Sequence, residues 1–313
     1  MPHRGDKPEL TDKPRLAVVE EFGNTRIRLD IDYDGTAFAG WGKQPNLRTV
    51  QGVLEANMAN LFQRFGATPS ITVAGRTDAG VHALGQVAHV DLSAEQIASL
   101  DIPLRGGRKS KRSTGTAALA RRLNGIAGLN TDVYVLASST APPGFDARFG
   151  AEWRRYQYRV ADSTAPRNPL SRNHTVWFPA ELDAEKMDVA AQSLIGLHDW
   201  ASYCKPREGA TTIRTLQEFR WHRDDDGILV AFVQADAFCH SMVRALVGAT
   251  VAVGSGKLEV GDVVALREAV ERTAAFKVMP AKGLALTEVG YPPDDELAAR
   301  AELTRTRRDA ASL

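Results

Sequence analysis

One stretch of the chain combines residue types that can do chemistry with a spacing that displays them. Gly75-Arg76-Thr77-Asp78-Ala79-Gly80-Val81-His82-Ala83 holds one carboxylate, one guanidinium and two glycines. An apolar run, Ile71-Thr72-Val73-Ala74, leads in, and Val81 to Val90 leads out as a second strand. The pattern reads as a rigid turn displaying a single carboxylate. Such a group serves function more often than packing. If the backbone stays extended through Thr77, Arg76 and Asp78 project to the same side. They would then be close enough for an ion pair that keeps Asp78 ionised. The competing reading is an Asp that bonds to nearby amides and stabilises its own turn. A lone acid also limits the chemistry. Retaining glycoside cleavage needs two carboxylates about 5 Å apart, and this turn supplies one. His82, His89 and His240 match no common zinc spacing, so no metal site is expected.

The elements that must hold this turn follow from periodicity. Arg26 to Tyr33 alternates, with Ile27, Leu29, Ile31 and Tyr33 on one side and Arg28, Asp30 and Asp32 on the other. That is a half-buried strand, ended by a turn at Asp34-Gly35. Apolar residues at helical spacing predict an amphipathic helix over 49–65. Strands near 70–75 and 85–91, a helix near 116–126 and a strand near 131–138 complete a β-α-β-β-α-β order. The second half repeats it. A strand over Trp153–Val160 precedes a helix over Asp183–Ile195, with Asp183 a plausible N-cap. Strands near 212–222 and 228–236 flank the hairpin turn Asp224-Asp225-Asp226-Gly227. Helices near 240–254 and 260–273 and a strand over Gly283–Val289 follow. The expected fold is α+β: two split-βαβ (ferredoxin-like) α/β domains with mainly antiparallel sheets and an active-site cleft between them. Residues 25–140 would form the N-terminal domain carrying Asp78, and 141–292 the C-terminal domain. Residues 1–24 read as a disordered tail, and 293–313 as a charged tail that frays or ends in a short helix.

The 313 residues suit two domains of ordinary size. With 43% hydrophobic and 25% charged residues, the composition is that of a soluble globular protein with a real core. No apolar run approaches the roughly 20 residues of a membrane span, and no secretory signal is visible. A cytoplasmic location is expected. Cys204 and Cys239 lie far apart in sequence and outside any CxxC pair, and they read as buried reduced thiols. Net charge is +1, but Arg105, Arg108, Lys109, Lys111, Arg112, Arg121 and Arg122 form a basic run with no acid between them. This is either a solvated loop or a phosphate-binding element.

The turn and four further blocks together resemble the tRNA pseudouridine synthase A family. Ala74 to Ala83 is similar to the family's signature. Ile31-Asp32-Tyr33-Asp34-Gly35 with Gly40-Trp41, Gln44 and Thr49-Val50-Gln51 resembles its first strand and turn. Phe145-Asp146-Ala147-Arg148-Phe149 with Arg154-Arg155-Tyr156-Gln157-Tyr158 resembles its central block. Ala237 to Arg244 with Val247-Gly248, then Pro280 to Leu286 with Val289 and Tyr291-Pro292, resemble its last two. The five blocks stand in the family's order across about residues 25–292.

The resemblance implies an isomerase that converts uridine to pseudouridine at positions 38, 39 and 40 of the tRNA anticodon stem-loop. It implies no cofactor and no metal, a homodimer, and an essential Asp, here Asp78. Arg76 is implied beside it, Tyr156 against the target base, and Arg244 as a substrate-binding residue. These roles fit the chemistry. Breaking the glycosidic bond builds positive character on C1′, which a carboxylate can stabilise, trap covalently, or relieve by taking the ribose 2′ proton. The base must leave its stack first, and an aromatic ring is an ordinary platform for a splayed base. Two other classes remain open. An RNA-binding module could use Tyr156, Tyr158 and Trp153 on a sheet face, but would leave Asp78 without a purpose. An Asp-dependent enzyme could act on another glycosidic bond. The basic stretch 105–116 is longer than the usual family connection, Asn130-Thr131-Asp132-Val133 lacks the usual Pro, and Gly42 replaces a commoner polar residue. These departures bear on substrate choice, not on the reacting residues.

Overall fold

A computed structural model describes residues 24–101, 115–206 and 211–310. The expected N-terminal tail, up to residue 23, and the basic positions from Arg105 to Arg112 lie outside the described residues. In chain order the elements are β1 (Thr25–Tyr33), α1 (Val50–Phe62), β2 (Ile71–Val73), β3 (His82–Leu92), α2 (Ala94–Leu100), α3 (Ala118–Ala127) and β4 (Val133–Thr140). Then come β5 (Trp153–Ala161), β6 (Val176–Trp177), α4 (Ala184–Gln192), β7 (Gly196–Asp199), β8 (Ile213–Arg223), β9 (Leu229–Ala235), α5 (Met242–Gly254), α6 (Asp262–Glu268), β10 (Leu284–Gly290) and α7 (Leu297–Ala310).

The ten strands make one mainly antiparallel sheet in the order β4-β1-β3-β10-β5-β9-β8-β7, with β2 on β3 and β6 on β5. The first and second halves of the chain meet where β10 pairs in parallel with β3, Ala285 against His82 and Leu286 against Ala83. Gly85 permits that approach, since a Cβ there would overlap the Thr287 carbonyl. The alternation read in β1 is real: Ile27, Leu29, Ile31 and Tyr33 are buried while Arg28, Asp30 and Asp32 are half-buried. One continuous apolar core runs from β1 through β5 to β9, and takes in α1, α3, α4 and α5. Arg26 of β1 donates to the Phe145 carbonyl, and the Arg28 guanidinium lies over the Phe145 and Tyr291 rings.

Several elements depart from the sequence reading, among them the two-residue strand β6. α2 was not expected, although Ser93 and Gln96 form a reciprocal capping box. β7 is a four-residue edge strand with no alternation to reveal it. α6 stops at Glu268 instead of continuing to 273. After Pro293, of the two outcomes expected the chain takes the helical one, but the helix is 14 residues long and docked. Leu297 and Ala301 are buried there, and Arg305 pairs with the buried Asp146 carboxylate at 2.8 Å. No helix among the described residues is long and apolar enough to cross a membrane.

Candidate active site

The segment from Ala74 to Val81 leaves β2 and enters β3 as an irregular loop held at several points. Trp41 N–H donates to the Thr77 carbonyl at 3.1 Å, Gly80 N–H to Phe38 at 3.2 Å, and Val81 N–H to Asp78 at 3.2 Å. The turn that follows β1 therefore backs the loop directly. Gly40 makes this possible, because it sits at φ 98° and a Cβ would press within 2.9 Å of the Thr77 carbonyl. The turn is fixed in its own right by the start of α1. Val50 and Gln51 N–H donate to the Gly40 and Trp41 carbonyls, and the Thr49 hydroxyl caps Gly52 N–H at 3.2 Å.

Beneath the loop lies a buried polar group. The Tyr33 hydroxyl is 2.7 Å from Thr77 Oγ1 and accepts from the Gln86 amide at 3.3 Å. Gln86, fully buried, also donates to the Gly75 carbonyl at 2.9 Å. Burial pushes the Tyr33 hydroxyl up to about 12, with Thr77 and Gln86 pulling the other way. A satisfied buried network of this kind fixes the backbone that it contacts.

Asp78 stands above this group with its side chain about one-third exposed. Its carboxylate faces the loop before α5. Ser241 Oγ donates to Oδ2 at 3.4 Å, and His240 Nε2 lies 3.6 Å from Oδ1. Tyr156, on β5, is buried, and its ring meets the Phe238 ring edge to face at 5.2 Å. Burial drives the Tyr156 hydroxyl far above the usual phenol range; nearby Tyr33 and the Asp78 carboxylate push the same way, against the pull of Arg154. Tyr158, on the same face as alternation requires, is fully buried and donates to the Pro280 carbonyl at 2.7 Å.

The structure thus brings Asp78 and Tyr156 into one neighbourhood, from opposite halves of the chain. It does not form the ion pair expected between Arg76 and Asp78. The strand ends at Val73, so the two side chains do not share a strand face, and Arg76 is exposed. Arg76 lies beside Gly42, where a Cβ would touch its Cδ and Nε at 3.6 Å. Arg244, in the first turn of α5, donates through Nε to the Met279 carbonyl at 2.6 Å, which ties α5 to the segment before β10. His82 is a clip: its Nδ1 accepts from Gly35 N–H at 3.0 Å, and its Nε2 lies 2.8 Å from the Asn173 carbonyl and 3.1 Å from that of Lys282.

Residues that the sequence reading passed over complete the site. Arg154 reaches from β5 to the Asp236 carbonyl at 2.7 Å and the Ala74 carbonyl at 2.9 Å, gripping the bases of both loops that meet at Asp78. Its only signal was its place in the central block. Tyr33 was read as a core residue of an alternating strand, which it is, and its hydroxyl role had no separate signal. Cys204 and Cys239 are joined as a disulfide, their Cα atoms 5.8 Å apart, which corrects the expectation of reduced thiols. The backbone bond from Lys205 N–H to the His240 carbonyl brings together two segments that the sequence separates by 35 residues.

Comparison with known proteins bears on the family of the chain. The family model for tRNA pseudouridine synthase matches residues 31–121 and 190–292. A protein of Leifsonia xyli subsp. xyli named tRNA pseudouridine synthase A is 62% identical over 284 residues, covering 91% of this chain and 98% of that protein. Proteins of the same name from Frankia casuarinae and Streptomyces avermitilis are 50% and 49% identical, each over 91% of this chain, and over 96% and 95% of their own lengths. Among solved structures, a dye-decolorizing protein from V. cholerae aligns over 90% of this chain and 98% of its own at 11% identity, with a TM-score of 0.20, too low to inform the fold. By family model and by these relatives, the chain belongs to the tRNA pseudouridine synthase family.

Proposed function

We propose that this protein isomerises uridine to pseudouridine at positions 38, 39 and 40 of the tRNA anticodon stem-loop, with Asp78 as the essential residue. The observation that carries the reading is the placement of Asp78: a partly exposed carboxylate on a braced loop, facing residues of the other half of the chain, with the Tyr156 ring nearby. The reaction breaks the N1–C1′ bond, turns the uracil and forms C5–C1′; C5 loses a proton and N1 gains one. No oxidant or reductant enters this balance. Asp78 meets the positive character that develops on C1′. Tyr156 offers its ring to the flipped base and holds its own hydroxyl proton, since burial disfavours the phenolate.

Arg76, exposed beside Asp78 in sequence, serves the RNA and helps fill the stack that the base vacates. Arg244, at the start of α5 and held through Nε by the Met279 carbonyl, takes part in substrate binding through its terminal nitrogens. The two halves, 25–140 and 141–292, act as split-βαβ (ferredoxin-like) domains with the active-site cleft between them. What supports this is the strand order: β4-β1-β3-β2 in one half and β10-β5-β9-β8 in the other follow the same pattern. A tRNA substrate places the enzyme in the cytoplasm, and we take it to work as a homodimer, which light scattering of the purified chain would test.

The test uses tRNA transcripts with uridine at 38, 39 or 40, mapped after incubation by carbodiimide modification and primer extension. The expected result is a new stop at those positions without added metal. Retarded migration of the same transcripts with no stop would instead favour an RNA-binding module without catalysis.

A further inference from the structure

We propose that Ser241 and His240 are positioning residues for Asp78, holding its carboxylate by one contact on each oxygen. This rests on the reading of Asp78 as the essential group. Ser241 is the N-cap residue of α5, a position where a serine ordinarily accepts from an amide of the first helical turn. It makes no such bond. Its hydroxyl turns to Asp78 Oδ2 instead, 163 residues away in sequence. The backbone is bent to allow it: Ser241 sits at φ 64°, ψ 10°, one of three non-glycine residues at positive φ among the described residues. A left-handed serine that forgoes its cap is a local cost of the kind that persists where a site demands it.

His240 reaches the other oxygen. Its ring is well exposed, and Nε2 lies 3.6 Å from Oδ1, just beyond hydrogen-bond length. Catalytic hydrogen bonds commonly tighten in the transition-state complex. The segment that carries both residues is anchored on each side. Arg154 holds the Asp236 carbonyl, Phe238 packs on Tyr156, Cys239 is joined to Cys204, and the His240 carbonyl accepts from Lys205 N–H at 2.9 Å. A carboxylate offers about four lone-pair sites. The Ser241 hydrogen bond and the nearby His240 ring bias its rotamer and leave acceptor capacity for the ribose.

The test is single-turnover isomerisation with saturating C5-tritiated tRNA, alongside the tRNA Kd and the Tm of each variant. Ser241→Gly keeps the left-handed backbone without strain and removes the hydroxyl, while Ser241→Ala removes the hydroxyl and keeps the strain. Both are expected to slow the single-turnover rate about tenfold, as loss of orientation does. Kd should stay within about twofold, and Tm should hold or rise in the glycine variant. His240→Ala is expected to slow the rate similarly, and His240→Gln, which keeps a nitrogen donor, to recover most of it. Wild-type rates in Ser241→Gly and His240→Ala would overturn the proposal. So would slow rates accompanied by weakened tRNA binding and lowered Tm with no recovery in His240→Gln. Wild type and Asp78→Asn run in the same assay separate the two levels. An inactive wild type, or an active Asp78→Asn, removes the functional reading itself. An active wild type and an inactive Asp78→Asn beside unaffected Ser241 and His240 variants remove only this inference.

Discussion

Arg154 and Ala74 lie 80 residues apart, yet the Arg154 guanidinium donates to the Ala74 carbonyl at 2.9 Å, where the chain leaves β2 for Asp78. The same guanidinium holds the Asp236 carbonyl, below the loop that faces the Asp78 carboxylate. One charged side chain thus sets the distance between the two loops that make the site. Arg154→Leu keeps much of the aliphatic stem and loses these bonds. It is expected to cost about 1.5–3 kcal/mol of stability, the range for hydrogen bonds from a charged group. Single-turnover rate should fall more than tenfold while tRNA Kd changes little. Denaturant melts and a rate measurement check this; an unaltered rate would show that Arg154 is structural only.

Arg76 makes no ion pair with Asp78, so its removal should leave the fold intact. Arg76→Ala is expected to shift stability by less than about 0.5 kcal/mol, the usual range for an exposed site. If Arg76 meets RNA phosphate, the salt dependence of tRNA binding should flatten by about one unit of slope. Equal slopes for variant and wild type would remove Arg76 from the RNA surface.

Burial keeps the Tyr156 hydroxyl protonated well past the ordinary phenol range. Its proton therefore stays in place across neutral and mildly alkaline pH. The single-turnover pH profile is expected to show no limb of Tyr156 up to about pH 10, the unperturbed phenol value. Tyr156→Phe should keep the profile's shape and lower its height. A limb near pH 9 that vanishes in Tyr156→Phe would contradict the burial argument.

His89 bears on acid stability. Its ring is buried, its Nδ1 accepts from Ala147 N–H at 3.0 Å, and burial, with Arg26 nearby, holds it below the ordinary imidazole value. The folded protein therefore binds that proton less readily than the unfolded chain. Its contribution to stability is present above about pH 6.5, the unfolded value, and is lost as pH falls through the lowered folded value. His89→Gln, which can still accept from Ala147, should flatten the decline in Tm between about pH 6.5 and 5. A parallel decline in both proteins would place the acid sensitivity elsewhere.

Much of this was legible in the sequence, for physical reasons that differ by element. β1 alternates because one face is buried, so Tyr33 could be placed on the core side without coordinates, and alternation in β5 put Tyr156 and Tyr158 on one common face. Asp78 was legible because glycines bracket it between two apolar runs. What remained hidden depends on long-range closure. The Arg76–Asp78 ion pair failed because the strand ends at Val73, a boundary that periodicity over so short a run cannot locate. The Cys204–Cys239 pairing and the approach of His240 and Ser241 to Asp78 arise from loops meeting across the sheet. The capping box of Ser93 and Gln96 is a signal present in the sequence, although α2 spans only seven residues. A helix after Pro293 was among the expectations, but its length and docking were not legible, because its burial rests on few positions, Leu297 and Ala301, in an otherwise charged segment.

If the Asp78 carboxylate is the reacting group, its loss must abolish tritium release from tRNA labelled at uracil C5, because pseudouridine formation must displace that hydrogen. Wild type is predicted to release the label with chelator present. Asp78→Asn, nearly the same in shape, should bind the tRNA with similar affinity and release nothing above background. Substantial release by Asp78→Asn would rule out the carboxylate as the reacting group.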